Sequence, residues 1–175
     1  TIRISTLPSQ NGTVTYNGTE QEPAWNDYDT MKLEIDGDKA ATNAGTYTVG
    51  FTPQGNCVWT DGTQDRKTTT WTIDKAAGSL ALSANSGSVA YADSNTFTIT
   101  AAGDGTLSAV SSNTSFATVS VSGNTVTISG VAEGAATITI SQGDDSTYAA
   151  PDSKTVTVTV NAYLVMTAKI DLTND

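Results

Sequence analysis

The chain has 175 residues, a formal net charge of -10, one cysteine and no histidine. The missing histidine excludes a Ser-His-Asp or Cys-His catalytic site, a histidine-ligated metal and an imidazole pH switch. Thr and Ser together contribute 49 residues, or 28%, while Leu, Ile, Val and Phe contribute 18%. Such a low apolar content is typical of disorder, but only 15% of the residues are charged, so the threonines need another explanation.

The balance of acidic and basic residues also limits which partners the chain can bind. Lys and Arg number 8 against 18 Asp and Glu, and they form no basic stripe of the kind that nucleic acids or anionic membrane surfaces attract. The longest apolar run, residues 162–166, is far shorter than the ~20 residues of a membrane span. We therefore expect no nucleic acid partner and no membrane insertion. The absence of a signal-peptide pattern at Thr1 predicts a mature or excised piece.

Alternation of apolar and polar residues along the chain predicts half-buried β-strands. Thr repeatedly occupies the polar positions, because it is β-branched, favours strands and keeps a hydroxyl toward water. The hydroxyl excess therefore marks the solvent faces of antiparallel sheets. In chain order, the alternating residues are Met31, Leu33 and Ile35; Tyr47, Val49 and Phe51; Phe97, Ile99 and Ala101; Val119 and Val121; Val126 and Ile128; Ile138 and Ile140; and the Thr-Val repeat of residues 154–160.

Turn residues punctuate these runs. Asn-Gly or Asp-Gly pairs stand at residues 11–12, 17–18, 36–37 and 61–62, and Ser-Gly-Asn stands at 122–124. Such pairs supply the positive φ values of tight hairpins. Short strands at this spacing predict an all-β sandwich architecture.

The composition changes near residues 74–79, since all three Trp and the cysteine precede this stretch. We therefore predict one β domain over residues 1–75 and a second over residues 76–161. Residues 162–175 are predicted to form a closing strand or the start of a further module. The piece would then come from a string of modules, which makes neighbouring modules of the same parent chain expected partners.

Residues 112–140 carry a recognisable pattern. A Ser-Asn start, the run Ala-Thr-Val, a Gly turn and a second Gly-containing segment follow one another; the matching positions are Ala117, Val119, Gly123, Val126, Gly130, Gly134, Ala136 and Ile138. With this pattern, residues 79–160 resemble the bacterial Ig-like domains of group 2 (BIG2), the invasin/intimin-like type. Gly134 is expected to permit the turn between strands, with Ala136 and Ile138 entering the core.

Residues 7–75 carry another set of short motifs. They include Asn-Gly-Thr-Val-Thr-Tyr-Asn-Gly at 11–18, Trp-Asn-Asp-Tyr at 25–28, Asn-Ala-Gly-Thr-Tyr at 43–47 and Trp-Thr-Ile-Asp-Lys at 71–75. This part resembles the MBG/YDG-like repeats of surface proteins and phage virion proteins. Together the two resemblances imply two tandem Ig-like β-sandwich domains of antiparallel strands.

Four aromatic residues, Trp25, Tyr28, Trp59 and Trp71, are candidates for a sugar-stacking platform. The alternative is that Trp59 and Trp71 anchor the core and Trp25 covers an open end, because large aromatics dominate small cores. Trp25 and Tyr28 are the preferred glycan-binding candidates, since residues 20–30 are polar and non-alternating, which predicts a loop or irregular edge.

The remaining candidates carry little chemistry. The acidic turns Asp36-Gly-Asp38, Asp104 and Asp144-Asp145 lack the ligand spacing of a calcium loop. Cys57 is expected to be a buried, inert thiol on a strand. The residues thus predict no enzyme, no catalytic residues, no metal and no cofactor.

The resemblances imply non-enzymatic structural or adhesive modules that are extracellular, on a bacterial cell surface or phage virion. The predicted role is that of a spacer with weak attachment to a cell-surface glycan or protein. Two alternatives stay open: a carbohydrate-binding module, and accessory domains of a secreted hydrolase. The flat Thr-Val repeat of residues 154–160 is also predicted to be an exposed edge at which copies could assemble.

Overall fold

The computed structural model describes residues 1–91 and 96–162. All regular secondary structure in these ranges consists of β-strands, which confirms the all-β prediction. The predicted closing strand or module start lies outside the described residues, except for residue 162.

The first nine strands are short, apart from two. They are β1 (Ile2–Ile4), β2 (Ser9–Asn11), β3 (Val14–Thr15), β4 (Ala24–Asn26), β5 (Leu33–Gly37), β6 (Gly45–Pro53), β7 (Cys57–Trp59), β8 (Lys67–Asp74) and β9 (Ala76–Ala77).

The nine strands that follow are longer on average. They are β10 (Leu80–Leu82), β11 (Ser86–Ala90), β12 (Thr96–Gly103), β13 (Leu107–Ser111), β14 (Ala117–Ser122), β15 (Thr125–Gly130), β16 (Gly134–Gln142), β17 (Tyr148–Ala149) and β18 (Lys154–Asn161).

The chain divides into two compact units. The first contains Thr1–Ala77 together with Asp144–Ala149, and the second contains the described residues of Gly78–Gly143 and those from Ala150 to residue 162. Residues 144–149 fall inside the predicted 76–161 domain, but they pack with the first unit because β17 pairs in parallel with β9.

The second unit is a sandwich of two four-stranded sheets. One sheet has the strand order β10-β12-β15-β14, and the other has the order β11-β18-β16-β13. All neighbours are antiparallel except β11 and β18, which run parallel. Inward-facing residues of both sheets form one buried cluster, to which β18 contributes Val156, Val158 and Val160, each at most 1% exposed.

The alternation in β18 is the one that the sequence predicts, with its threonines exposed. The predicted assembly edge at residues 154–160 is wrong, however. β18 has hydrogen-bonded neighbours on both sides, β11 and β16, so its backbone groups are already paired. The edges of this sheet are β11 and β13.

Two glycines of the second unit have different roles. Gly123 occupies the first position of the two-residue hairpin between β14 and β15, with φ 54°, as a type II′ turn requires. Gly134 is the first residue of β16, directly after the bend at residues 132–133 that leads from β15 to β16, and its φ of 154° is one that residues with a side chain rarely adopt. A Cβ there would lie 2.7 Å from the Phe116 ring, so glycine is needed because the ring packs against the backbone.

The first unit is built on the four-stranded sheet β3-β8-β6-β5. Two small sheets, β1-β7 and β2-β4, accompany it in place of a second continuous layer. Its core contains Phe51, Trp59 and Trp71, at 0%, 2% and 1% exposure. Indole N–H groups in this core have partners, as buried donors require: Trp71 Nε1 donates to the Asp38 carbonyl at 2.6 Å and Trp59 Nε1 to the Asp65 carbonyl at 2.7 Å.

The Asn-Ala-Gly-Thr-Tyr motif closes one end of this core. The Tyr47 hydroxyl donates to the carbonyl oxygen of Asn43 at 2.5 Å, and the Tyr47 ring lies 4.9 Å from the Trp71 ring. This local bond resembles the tyrosine corner of sandwich folds.

The predicted alternation at Met31 is wrong, because β5 begins only at Leu33 and Met31 is 84% exposed in the preceding turn.

Candidate functional site

The two preferred glycan candidates lie side by side on the first unit. Trp25 is the middle residue of β4, which pairs with β2, so the predicted loop at residues 20–30 contains a short strand. Tyr28 follows in the turn after β4. Both side chains are half-buried. We call this pair the aromatic wall.

The aromatic wall is held from behind by one core residue. The Trp25 ring meets the Phe51 ring at 5.2 Å in an edge-to-face arrangement, and the Tyr28 ring meets it at 5.3 Å. Such aromatic pairs contribute about 0.5–1.5 kcal/mol beyond the area that they bury. The wall therefore has a fixed position on the core instead of swinging freely in a loop.

Two open grooves share the aromatic wall. The first has a volume of about 370 Å³ and the second about 270 Å³, and both Trp25 and Tyr28 line each of them. The charged residues of the first groove are Arg3, Asp27, Asp29 and Lys32, and those of the second are Glu22 and Lys39. Small-molecule sites usually combine an apolar surface with a few placed polar groups in this way.

Local bonds orient the charged groups of the first groove. Lys32 and Asp29 form an ion pair at 2.8 Å, and the Arg3 guanidinium donates to the Thr60 carbonyl at 2.7 Å. The hydrogen bond from Lys32, with a further one from the Met31 N–H, lowers the pKa of Asp29. Burial, together with the charge of Glu34, raises the pKa of the Tyr28 hydroxyl above its ordinary value.

Asp27 shapes the wall through its backbone. It has φ 57° and is the one non-glycine residue with positive φ in the described part of the chain. Asp tolerates this left-handed conformation better than most residues. The kink lies between Trp25 and Tyr28 and turns the chain so that both side chains reach Phe51.

The sequence indicates Trp25 and Tyr28 as candidates but gives no sign of most of the charged residues beside them. Arg3 comes from β1, far from Trp25 in the sequence, and only the fold brings them together. Asp27 had a usable signal, because it stands inside the Trp-Asn-Asp-Tyr motif at a position where Asp or Asn can adopt positive φ.

The other two aromatic candidates do not belong to this site. Trp59 and Trp71 are core residues with 2% and 1% exposure, as the core-anchor alternative predicts. Lys67 lies over the Trp59 ring at 5.1 Å and pairs with Asp61 at 2.6 Å. This ion pair, with Thr63 as a second donor, lowers the pKa of Asp61 strongly.

The acidic turns make internal contacts. Asp36 accepts hydrogen bonds from Arg66, Asp104 from Ser79, and Asp144 from Lys75. The Asp145 carboxylate accepts from the backbone N–H groups of Thr147 and Tyr148 at 2.7 and 2.6 Å. No group of three or more metal-ligating side chains comes together among residues 1–91 and 96–162.

Cys57 lies on β7 with 3% exposure and is a free thiol. Its surroundings in the first core are apolar, as expected for a cysteine that acts as a small hydrophobic residue.

The part of the chain that the structure describes contains no helix long and apolar enough to cross a membrane.

Comparison with known proteins gives structural likenesses only. No family model matches the chain, and no curated protein matches it, so the BIG2 and MBG/YDG-like resemblances remain predictions. Domains 1–6 of the surface layer protein SbsC are 30% identical over 80% of this chain and 20% of that one, with a TM-score of 0.41. The chain thus spans about a fifth of that structure.

Two shorter structures match more of their own length. Domains 4 and 5 of the S-layer protein SbsC are 21% identical over 87% of this chain and 96% of that one, with a TM-score of 0.40. Three Ig domains of titin, I67–I69, are 10% identical over 89% of this chain and 66% of that one, also with a TM-score of 0.40.

Proposed function

We propose that this chain is a pair of non-enzymatic, load-bearing spacer modules from an extracellular protein of a bacterial cell surface or phage virion. One observation carries the proposal: in the second unit, β11 near its start pairs in parallel with β18 at its end. Weak attachment through the first unit is the second part of the proposed role.

The parallel pair determines how the second unit responds to tension. Its register joins five residues, Ser86–Ala90 of β11, to residues 157–161 of β18. Pulling the chain ends apart slides two parallel strands along each other, so their hydrogen bonds are loaded together. An antiparallel pair at the ends would instead open one bond at a time. The arrangement therefore suits a module that stays folded under load.

The first unit has a shorter version of the same arrangement. β3 pairs in parallel with β8 at Val14 and Thr15, and the Tyr16 N–H continues the ladder by donating to the Asp74 carbonyl at 2.9 Å. Because this pair has fewer bonds, we expect the first unit to unfold at lower force than the second.

Single-molecule stretching of the whole chain, tethered at its ends, tests the proposal. We expect two separate unfolding events; the stronger one releases residues 78–161, which span about 28–30 nm when fully extended at 3.3–3.6 Å per residue, so the chain lengthens by that span less the length of the folded unit. A single low-force event, or gradual extension without peaks, would contradict the load-bearing role.

Proline substitutions in β11 supply a matched pair of variants. The Thr157 N–H donates to the Asn85 carbonyl, and the Tyr91 N–H donates to the Asn161 carbonyl. The backbone N–H and C=O groups of the odd-numbered residues of β11 therefore point toward β18. Gly87→Pro removes a donor from the ladder, so it should lower the peak force of the second unit. Ser88→Pro removes an N–H on the open side of this edge strand and should leave the peak force nearly unchanged.

A carbohydrate-binding module is the second candidate function, and the aromatic wall with its two grooves is the observation that favours it. Accessory domains of a secreted hydrolase are the third reading. The sequence of the parent protein distinguishes these functions. A catalytic domain in it would favour accessory domains of a hydrolase, and a cell-wall sorting motif would favour surface display.

A further inference from the structure

We propose that the two grooves beside the aromatic wall together bind one extended, uncharged polysaccharide chain, with sugar rings against Trp25 and Tyr28. This inference rests on the proposed attachment role and names the ligand class for it. It differs from a general expectation of glycan binding because it specifies the charge and the length of the ligand.

The aromatic wall offers the surface that a sugar ring needs. A pyranose ring has an apolar face of C–H groups and a rim of hydroxyls, so it packs on an aromatic side chain while its rim reaches polar neighbours. Trp25 and Tyr28 are each half-buried on Phe51, which leaves part of each ring open to the grooves. The polar rim of the ligand would meet the charged residues that line them.

The wall is already in position before a ligand arrives. Trp25 lies in the middle of the β2-β4 pair, and the positive φ of Asp27 fixes the turn to Tyr28. A preformed site loses less conformational entropy on binding. This matters for a shallow site, because little affinity remains if a loop has to be ordered first.

The charge around the wall points to an uncharged ligand. The chain carries a net charge of -10, which repels polyanions. The six charged side chains of the grooves nevertheless balance, with three basic and three acidic members: Arg3, Lys32, Lys39, Asp27, Asp29 and Glu22. A balanced set of donors and acceptors suits hydroxyl groups, which both donate and accept.

The two grooves set the length of the ligand. Both contain Trp25 and Tyr28 in their lining, and with volumes of about 370 and 270 Å³ each is small for a ligand pocket. A ligand that fills both must cross the wall. We therefore expect affinity to rise with chain length from one sugar unit to six.

Affinity electrophoresis and titration calorimetry on the whole chain test the inference. The probes are glucomannan, glucuronate-free xylan and mixed-linkage β-glucan as uncharged polymers, polygalacturonate as the anionic polymer, and the matching mono- and hexasaccharides. We expect at least one uncharged polymer to bind, its hexasaccharide to bind at least tenfold more tightly than its monosaccharide, and polygalacturonate not to bind.

Variants locate the site. Trp25→Ala should weaken binding at least tenfold. Because this change also removes a contact with Phe51, Lys39→Ala serves as a second variant: Lys39 is exposed in the second groove, and its loss should weaken binding a few fold without altering the melting temperature. Lys154→Ala, an exposed lysine of the second unit, is the matched control and should change nothing.

Four results would overturn the inference: no binding to any uncharged polymer, tighter binding to polygalacturonate, equal affinity for mono- and hexasaccharide, or binding that survives both groove variants. Retention of the two force peaks in the stretching experiment would show that the spacer role stands even when the ligand class is wrong. Binding of a purified cell-surface protein at this wall, with no polysaccharide bound, would likewise keep the attachment role and refute the ligand.

Discussion

The side-chain amide of Gln10 takes both backbone hydrogen bonds of Thr72. Gln10 Oε1 accepts from the Thr72 N–H at 2.8 Å, and Gln10 Nε2 donates to the Thr72 carbonyl at 3.0 Å. β3 pairs with β8 only at Ile73 and Asp74, so the amide continues the ladder where the strand ends. A side chain thereby replaces one residue of a missing strand.

Gln10→Ala should destabilise the first unit by about 1–3 kcal/mol, because it leaves the part-buried Thr72 N–H without a partner. Gln10→Glu should be at least as harmful, since a carboxylate cannot donate to the Thr72 carbonyl. Chemical denaturation measures the change. Gln54→Ala is the control: the Gln54 side chain donates an exposed hydrogen bond to the Thr30 carbonyl, so a loss as large as that of Gln10→Ala would refute the role of Gln10.

Substitutions at Gly50 and at Arg66 should have coupled effects on the stability of the first unit. A Cβ on Gly50 would lie 2.2 Å from the Arg66 guanidinium, which lies across the strand and pairs with Asp36. Gly50→Ala alone should displace Arg66 from Asp36, and the loss of this exposed ion pair should offset the gain from the alanine. In an Arg66→Ala background the same change should raise stability by about 0.5–1 kcal/mol, the ordinary gain of Ala over Gly in a strand. A double-mutant cycle measures this, and equal effects in both backgrounds would contradict the steric account.

Gln142 ends the inward-facing row of β16 that contains Ala136, Ile138 and Ile140. It is 4% exposed, and neither polar atom of its amide has a hydrogen-bond partner among the described residues. Gln142→Leu should therefore stabilise the second unit by about 1–3 kcal/mol. Gln142→Glu, of nearly equal size, should destabilise it at neutral pH by burying a charge. Thermal unfolding measures both, and a lower midpoint for the leucine variant would contradict the prediction.

Tyr28 should make the first unit sensitive to alkaline pH. Its pKa is raised in the folded state by burial and by the charge of Glu34, so folding favours the protonated phenol. The corresponding stability is complete below the unfolded value near 10 and is lost as the pH rises through the raised folded value. Tyr28→Phe should flatten this part of a stability-against-pH curve, and Glu34→Gln should reduce it. An unchanged slope in the phenylalanine variant would show that Tyr28 is not responsible.

The predictions from sequence succeeded where a single periodicity decides the outcome. Val156, Val158 and Val160 are buried and their threonine neighbours exposed, because alternation in a strand is a local property. The same repeat gave no information on its neighbours, so the predicted edge at residues 154–160 is in fact an interior strand. Met31 fits the period of Leu33 but lies in a turn, since the Asp29 carboxylate accepts from the Met31 N–H and the Asp29 carbonyl from the Leu33 N–H.

The opening composition, rich in Thr and without His, determined by itself the all-β class, the strand faces and the exclusion of histidine chemistry. Those properties depend on residue type and on spacing along one strand. Only the tertiary structure decided that Arg3 and Lys39 flank Trp25 and Tyr28, that Gln10 completes the ladder at Thr72, and that β11 lies parallel to β18. These relationships join residues far apart in sequence, and their geometry follows from how the strands pair and pack.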